Sequence, residues 1–193
     1  MLSQSRTTWM QCSSIHTDRL DLVPMTPAFL RASLRGDLAE AERHIGLRLP
    51  TAWPDMQTVL ALRLGQLESD PALQPWLLRA VGLRSNREMV GQIGFHSAPG
   101  AAYLEQWSPG GVEFGFAIHP AHRRKGYARE AAAALMQWAR DIHGVTSFIV
   151  TISPSNEASQ ALAKELGFVR VGAHVDDIDG PEDVLVFNVS PAA

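Results

Sequence analysis

The stretch that most constrains the fold lies in the middle of the chain, where a strand-like pattern passes through a basic loop into a helix. Residues 112–118 form an apolar run, and residues 119–126 contain a proline, three adjacent cations and a glycine. Apolar residues at helical spacing follow over residues 127–142. The first N–H groups of a helix have no partner within the helix, and the peptide dipoles add positive charge there. The sequence therefore predicts a binding site for a phosphate group at this helix start.

Length and composition indicate one globular domain. The chain has 193 residues, of which 46% are hydrophobic and 19% are charged, and this is ample apolar material for a single core. Residues 1–14 are polar and show no period, so we expect a flexible leader there, followed by one domain over residues 15–193.

Charge and cysteine content argue against several classes of function. The net charge of −3 does not suit broad nucleic-acid binding, because duplex affinity depends on many phosphate contacts from Lys and Arg. No apolar run approaches the ~20 residues that span a bilayer. The single cysteine, Cys12, excludes an intrachain disulfide, and no Cys and His residues have zinc-ligand spacing. We therefore expect a cytoplasmic protein with no metal site and no membrane partner.

Periodicity along the rest of the chain predicts a mixed α+β domain. A first strand at residues 19–24 precedes two helical patterns, one that begins at Thr26 and one over residues 58–67. The other predicted strands are residues 76–83, 89–96, 112–118, 147–152, 168–171 and 184–189. A last helix follows Asn156, which is a good N-cap residue. The result is a mostly antiparallel sheet of about seven strands, flanked by about four helices.

Several motifs together resemble one family. Residues 123–128, Arg-Arg-Lys-Gly-Tyr-Ala, fit the [Gln/Arg]-x-x-Gly-x-[Gly/Ala] signature of the GNAT N-acetyltransferases, and the predicted order of elements matches their fold. The further matches are Thr17-Asp18-Arg19-Leu20, Trp53-Pro54, Glu113-Phe114-Gly115-Phe116, Asn156-x-x-Ser159 and Glu165-Leu166-Gly167-Phe168. They resemble the branch that includes ribosomal-protein N-terminal acetyltransferases, and the resemblance covers about residues 15–190.

By this resemblance, the ligand of the basic loop is acetyl-CoA. The loop amides would hold its pyrophosphate, and its pantetheine would lie between strands 112–118 and 147–152, which splay apart in this family. Ile118 would pair with the pantetheine through its backbone, while Asn156 and Ser159 would lie near the pantetheine and the thioester. The cofactor residues implied in this way are Ile118, Arg123, Arg124, Lys125, Gly126, Tyr127, Ala128, Asn156 and Ser159.

Glu113 is the candidate for a catalytic base. Acetyl transfer to an amine needs a neutral nucleophile, and a carboxylate near the cleft can accept the proton. Glu113 occupies the strand position where many members of the resembled family hold a base. Strand alternation places it on one face with Gly115 and Ala117, which leaves room for a substrate. A structural carboxylate paired with an arginine is an equally good interpretation of this residue.

The usual general acid of the resembled family is missing. Many members place a tyrosine five residues before the phenylalanine of the Gly-Phe pair, and Ala163 stands at that position. Ser159 is then the candidate to protonate the departing sulfur. The thiolate leaves with little assistance, because the pKa of a thiol is only about 8.5. A serine at the third position of a helix capped by Asn156 also has a purely structural explanation.

The expected function is therefore direct acetyl transfer from acetyl-CoA to a primary amine, either a protein N-terminus or a small molecule. The alternative is a non-catalytic acyl-CoA-binding module that kept the phosphate loop. A nucleotide site is weaker, because the loop lacks the Gly-Lys-Ser/Thr ending of a P-loop. We expect His119 and His122 to serve packing or anion contacts, and Trp107 to contact the substrate. Monomer and homodimer both remain open.

Overall fold

One sheet organises the protein, and the computed structural model describes it over residues 12–54, 56–176 and 180–189. Its eight strands in these residues are β1 Ile15–His16, β2 Leu20–Pro24, β3 Arg79–Leu83, β4 Met89–Phe95, β5 Val112–Ile118, β6 Ser147–Ile152, β7 Val169–Asp176 and β8 Gly180–Asn188. Their spatial order is β1-β2-β3-β4-β5-β6-β8-β7. Every neighbouring pair is antiparallel except β5 and β6, which are parallel. This confirms the predicted mixed, mostly antiparallel sheet.

Helices cover both faces of the sheet. The five α-helices of the described residues are α1 Pro27–Leu34, α2 Leu38–Ile45, α3 Gln57–Ser69, α4 Tyr127–His143 and α5 Glu157–Glu165. Thr26 caps α1, since its side chain accepts a hydrogen bond from the N–H of Phe29. Asn156 caps α5 in the same way through the N–H of Ser159, as the sequence predicts.

The described residues contain eight strands and five α-helices, one more of each than the approximate numbers predicted. The additional strand is β1, which has two residues and is too short to show a period. The additional helix is α2, because the apolar pattern after Thr26 is divided in two. Gly36 adopts a left-handed conformation, and the Asp37 side chain then caps a new helix through the N–H of Glu40.

The parallel strands β5 and β6 separate after only two residue pairs. Val112 lies beside Phe148 and Glu113 beside Ile149, and no pairing follows towards the carboxyl ends of these two strands. β5 nevertheless stays paired with β4 as far as Ile118. The central strands therefore splay apart, as expected, and leave backbone groups of β5 open along the gap.

Two apolar clusters cover opposite faces of the sheet. On one face α4 and α5 pack over aromatic residues that include Phe95, Phe114 and Phe168. On the other face α1 to α3 cover the half of the sheet that contains β2, β3 and β4, around Phe29 and Leu60. A third and smaller cluster of Leu104, Ile149, Val184 and Val186 lies where residues 97–111 cross the other half of that face. Glu113 lies on this second face.

The beginning of the described chain is packed against the domain. The expected leader spans residues 1–14, of which residues 1–11 lie outside the described residues. The fully buried Arg79 donates from Nη2 to Cys12 Sγ at 3.1 Å and from Nη1 to the Ser13 carbonyl at 3.0 Å. Cys12 and Ser13 therefore contact the domain through Arg79. In the described residues, no helix is long and apolar enough to cross a membrane.

Candidate active site

The basic loop forms a turn of left-handed residues at the start of α4. Arg124 has a φ of 62° and Gly126 a φ of 80°, both in the left-handed region. Left-handed residues in such a loop turn backbone N–H groups into a concavity that suits an anion. Among the described residues no side chain caps α4, in contrast to α1 and α5. The first amides of α4 are thus left available for a bound phosphate.

A clasp from the start of the chain holds this loop. Arg19 donates from Nε to Glu130 Oε2 at 2.6 Å and from Nη1 to the Lys125 carbonyl at 3.0 Å. The Thr17 hydroxyl donates to Glu130 Oε1 at 2.6 Å. The Arg19 guanidinium also lies over the Tyr127 ring, 4.9 Å from its centroid. The Thr17-to-Leu20 motif therefore braces the loop and the first turn of α4 across more than 100 residues of sequence.

Ile118 faces the gap between the splayed strands. The Glu113 carbonyl and the His119 N–H both bond to the β4 side, so the backbone groups of the alternate residue Ile118 point towards the gap. Arg123 Nε donates to the Ile118 carbonyl at 2.9 Å, and Lys125 Nζ donates to the Ala121 carbonyl at 3.2 Å. Two of the three loop cations thus fold back on the loop, while their charges stay near the exposed helix start.

The start of α5 lies at the carboxyl end of β6, on the other side of the gap. Ser159 donates its backbone N–H to Asn156 Oδ1 at 3.2 Å, so both residues serve the helix cap. Ala163 is buried against the aromatic cluster beneath α5. The structural explanation of Asn156 is therefore present, whereas Ser159 takes part in the cap through its backbone N–H.

A pocket of about 570 Å³ opens on the second face of the sheet, beside the point where β5 and β6 separate. Its walls come from β5 to β8 and from the loop of residues 97–111. The described residues that line it are His96, Tyr103, Leu104, Gln106, Trp107, Glu113, Ile149, Thr151, His174, Asp176, Glu182 and Val184. Trp107 is among these residues and Ser159 is not. The substrate contact of Trp107 stays a prediction.

Glu113 lies at the floor of the pocket and accepts contacts at both oxygens. The Thr151 hydroxyl donates to Oε1 at 2.7 Å, and the Tyr103 hydroxyl donates to Oε2 at 2.9 Å. His96 Nδ1 lies 3.3 Å from Oε2. Burial by itself would raise the pKa of Glu113, but the contacts of His96, Thr151 and Tyr103 lower that pKa below its usual value. The carboxyl is therefore ionised at neutral pH, with its charge shared among three donors.

His96, Tyr103 and Thr151 are site residues that the sequence reasoning missed. His96 is the first residue after β4 and stands opposite Glu113, since its N–H donates to the Glu113 carbonyl at 2.9 Å. Burial and the nearby Glu113 charge raise the pKa of Tyr103, which keeps its hydroxyl protonated and able to donate. Pairing of the two predicted strands could have identified His96 if their register had been known.

Comparison with known proteins decides the family. The family model described as Acetyltransferase (GNAT) domain matches residues 19–169. The chain belongs to the GNAT acetyltransferase family. Among its relatives is an uncharacterised N-acetyltransferase of Bacillus subtilis, YjdG, which is 28% identical over 80% of this chain and 89% of its own length. The protein is thus an acetyltransferase, as expected.

Solved structures show the same GNAT fold. A GNAT-family protein of Bordetella pertussis aligns with a TM-score of 0.66 at 23% identity, over 90% of this chain and 98% of its own. RimL, a ribosomal L7/L12 alpha-N-protein acetyltransferase solved with coenzyme A, aligns with a TM-score of 0.62 at 15% identity, over 92% and 98% of the two chains. Because both sequence identities are below 25%, these alignments show a shared fold and no more than that.

The residues present fit the acyl donor of GNAT enzymes, acetyl-CoA. The uncapped start of α4 matches a diphosphate, and the open backbone edge of β5 matches the amide chain of pantetheine. Glycine suits position 126, since φ is left-handed there and an added Cβ would lie 3.3 Å from Arg19 Nη2. The GNAT slot of this chain therefore has the shape and the donors for the cofactor that the sequence predicts.

Proposed function

We propose that the protein transfers an acetyl group directly from acetyl-CoA to a primary amine that enters the pocket above Glu113. The observation that carries this proposal is the position of the pocket. Its floor, formed by Glu113 and Thr151, lies where β5 and β6 begin to separate, on the face opposite the aromatic cluster of α4 and α5. An amine in the pocket would thus meet a thioester that lies in the slot.

In this proposal the loop residues Arg123 to Lys125 and the amides of Gly126, Tyr127 and Ala128 bind the pyrophosphate. Ile118 pairs with the pantetheine, and Asn156 and Ser159 lie at the thioester end of the slot. Ser159 is the donor that protonates the departing sulfur, and Glu113 belongs to the proton-transfer centre. Support comes from the position of Ile118 along the gap and from the α5 cap next to it.

The lining of the pocket supports an amine acceptor. Three carboxyl side chains line it, from Glu113, Asp176 and Glu182, and they favour a positively charged ligand. Tyr103 and Trp107 add aromatic walls that suit an ammonium group. The volume lies within the range of roughly 300–1,000 Å³ that is usual for small-molecule sites. A small amine and the first residues of a protein N-terminus both fit this description.

Acetyl transfer is tested by incubating the purified protein with acetyl-CoA and a panel of amines. The panel contains amino acids, polyamines, amino sugars and short peptides with free N-termini. Free thiol release reports turnover, and mass spectrometry of the acceptor identifies an acetylated product. We expect at least one amine to give saturable thiol release with a matching acetylated product. Tight acetyl-CoA binding without turnover on any amine would support the acyl-CoA-binding module instead.

The phosphate loop is tested with two matched glycine variants. Gly126 and Gly36 both have a φ in the left-handed region, but only Gly126 lies in the loop. Both Gly126→Ala and Gly36→Ala introduce the same kind of backbone strain. We expect calorimetry to show weaker acetyl-CoA binding for Gly126→Ala and wild-type binding for Gly36→Ala. Equal affinities in both variants would place the pyrophosphate elsewhere.

A further inference from the structure

The Glu113 carboxylate is poorly placed to take a proton from an amine itself. It is only 5% exposed, and its two oxygens already face Thr151, Tyr103 and His96. Three of its roughly four acceptor positions are thus occupied, which leaves little of it for an entering amine. A carboxylate that is stabilised in its charged form is also a weak base. The acceptor of the proton is therefore better sought among the groups that Glu113 holds.

His96 extends from this carboxylate towards the open part of the site. Its Nδ1 faces Glu113, and its Nε2 lies over the backbone of Gly115, where an added Cβ would be 2.9 Å from the nitrogen. Gly115 follows Glu113 by two residues on the same face of β5, in the direction in which the strands separate. The side chain of His96 is 37% exposed, compared with 7% for that of Glu113. The imidazole therefore connects a buried charge to the accessible pocket.

The ring is held by its backbone as well as by Glu113. The His96 N–H donates to the Glu113 carbonyl at 2.9 Å, and Arg63 Nη1 on α3 donates to the His96 carbonyl at 3.1 Å. Gly115 provides the space that the ring occupies, because any larger residue would push against Nε2. Such fixed geometry is what a proton acceptor requires.

We propose that His96 Nε2 takes the proton from the acceptor amine, and that Glu113 is a positioning residue that holds the proton of the neutral ring on Nδ1. This inference rests on the proposed function and names the group that performs its proton transfer. Imidazole is the side chain that ordinarily changes charge between pH 5 and 8, which suits a base near neutral pH. The charge of Glu113 then stabilises the imidazolium that forms.

The step balances without a further reactant. An alkylammonium ion in the pocket gives one N–H proton to Nε2 and becomes a neutral amine. The amine nitrogen forms a C–N bond with the acetyl carbon as the thioester C–S bond breaks. The sulfur takes the hydroxyl proton of Ser159, and the second proton of the nitrogen restores that hydroxyl. The products are an amide, a free thiol and an imidazolium, which returns its proton to water.

The decisive variant is His96→Asn, because the asparagine amide can replace Nδ1 in the contact with Glu113 but offers nothing in place of Nε2. His16→Asn is the matched control, since His16 Nδ1 lies 2.7 Å from the buried carboxyl of Asp21, outside the pocket. We expect kcat to fall about 100-fold in His96→Asn and to stay at the wild-type value in His16→Asn. Wild-type kcat in His96→Asn would overturn the inference and leave the proposed function intact.

The pH profile and the basicity of the acceptor separate a base from a merely structural residue. We expect kcat/KM of the wild type to rise with pH as the catalytic base loses its proton, and this limb of the profile to disappear in His96→Asn. The fall of kcat in His96→Asn should be smaller for a weakly basic amine that is already neutral at pH 7, because no proton must be removed before attack. An equal deficit for both kinds of amine would contradict the proposal. The charged or titratable groups around the ring are Arg63, Tyr103, Glu113, His174, Asp176 and Glu182.

A readout without turnover completes the test. Nitrogen NMR of ¹⁵N-histidine-labelled protein reports which ring nitrogen of neutral His96 carries the proton. We expect Nδ1–H in the wild type and a mixture of tautomers in Glu113→Gln, whereas the spectrum of His16 stays unchanged in that variant. An Nε2–H tautomer in the wild type would overturn the inference. This result holds even for a preparation that turns over no amine in the panel, so failure of the proposed function is recognised separately.

Discussion

Two buried carboxylates at different places in the sheet have similar surroundings and different consequences. Asp21 on β2 is 7% exposed and Glu113 on β5 is 5% exposed. Each lies beside a histidine Nδ1, from His16 at 2.7 Å and from His96 at 3.3 Å. Burial alone would raise the pKa of both carboxyls, and in both the surrounding donors and charges lower that pKa instead. A buried acid with a histidine partner is therefore no sign of catalysis by itself.

The difference lies in the other partners and in the space around them. Asp21 is paired with Arg87 and lies 3.8 Å from Arg84, so full positive charges offset its own. Glu113 has the hydroxyls of Thr151 and Tyr103 in their place, and its histidine opens into the pocket. The Asp21 cluster fastens the hairpin of β3 and β4 to β2. The Glu113 cluster holds a charge that two hydroxyls and a histidine stabilise beside a cavity, with Arg63 nearby, and a charge in that position is useful for chemistry.

The largest expected effect is the loss of turnover in Glu113→Gln. The amide keeps the shape of the side chain, and the neighbouring hydroxyls can rotate to match it, but the charge that supports an imidazolium is removed. We expect kcat to fall about 100-fold in assays of thiol release, while the free energy of unfolding in urea changes by less than about 1 kcal/mol. Full activity of Glu113→Gln would show that Glu113, like Asp21, has only a structural role.

The opposite pattern is expected for Asp21→Asn. This change leaves Arg87 without its anion, although Arg87 is about half exposed and can recover part of the loss from water. We expect the free energy of unfolding in urea to fall by about 1–2 kcal/mol with kcat unchanged. Asp18→Asn, at an exposed position of the same segment, is the control and should leave both quantities unchanged. A fall in kcat without a change in stability would show that Asp21, like Glu113, serves the reaction and not the fold.

At low pH the wild-type protein should lose the stability that the Asp21 cluster provides. A carboxyl whose folded-state pKa is lowered contributes stability above its unfolded pKa, and this is lost as the pH falls through the folded pKa. The ordinary pKa values are 3.8 for Asp21 and 4.5 for Glu113, so the loss of stability should begin below about pH 4.5. We expect urea unfolding to give a smaller pH dependence in Asp21→Asn over this range. An identical slope in both proteins would show that other groups cause the acid sensitivity.

The smallest effect is expected for Tyr103→Phe. Tyr103 is 51% exposed and donates one of the three contacts to Glu113. Removal of its hydroxyl leaves Thr151 and His96 in place, so we expect kcat to fall about two- to tenfold, with an unchanged melting temperature. A loss as large as that of Glu113→Gln would indicate that the tyrosine hydroxyl takes part in proton transfer itself.

The frame of the cofactor slot could be predicted because it depends on local patterns. β5 and β6 have the predicted bounds, and α4 ends one residue beyond its predicted end. Strand alternation, the loop glycine and the Asn156 cap are all visible within short windows of sequence. The splay and the cofactor came from the resemblance to GNAT enzymes and are confirmed at the level of the fold and the family.

The surroundings of Glu113 could not be predicted, because they depend on register and on distant segments. The position of His96 opposite Glu113 depends on the register of β4 and β5, and residues 97–111 between them carry no period that predicts it. A shift of one residue would turn the ring to the other face. Arg63 lies on α3, and the apolar pattern there predicts a helix without indicating that Arg63 reaches His96. The clasp between Arg19 and Glu130 joins two motifs that sequence reasoning treats separately.

The loop of residues 97–111 has a consequence for how this enzyme can diversify. The Trp107 ring lies against Gly172 on β7 and forms a wall of the pocket, while Tyr103, four residues earlier, donates to Glu113. One short connection thus shapes the acceptor site and also touches the reactive centre. Mutations that recruit a new acceptor through this loop will therefore tend to alter catalytic rate as well. A descendant that changes acceptor should first acquire substitutions on β7 and β8, which line the same pocket and supply none of the three contacts to Glu113 described above.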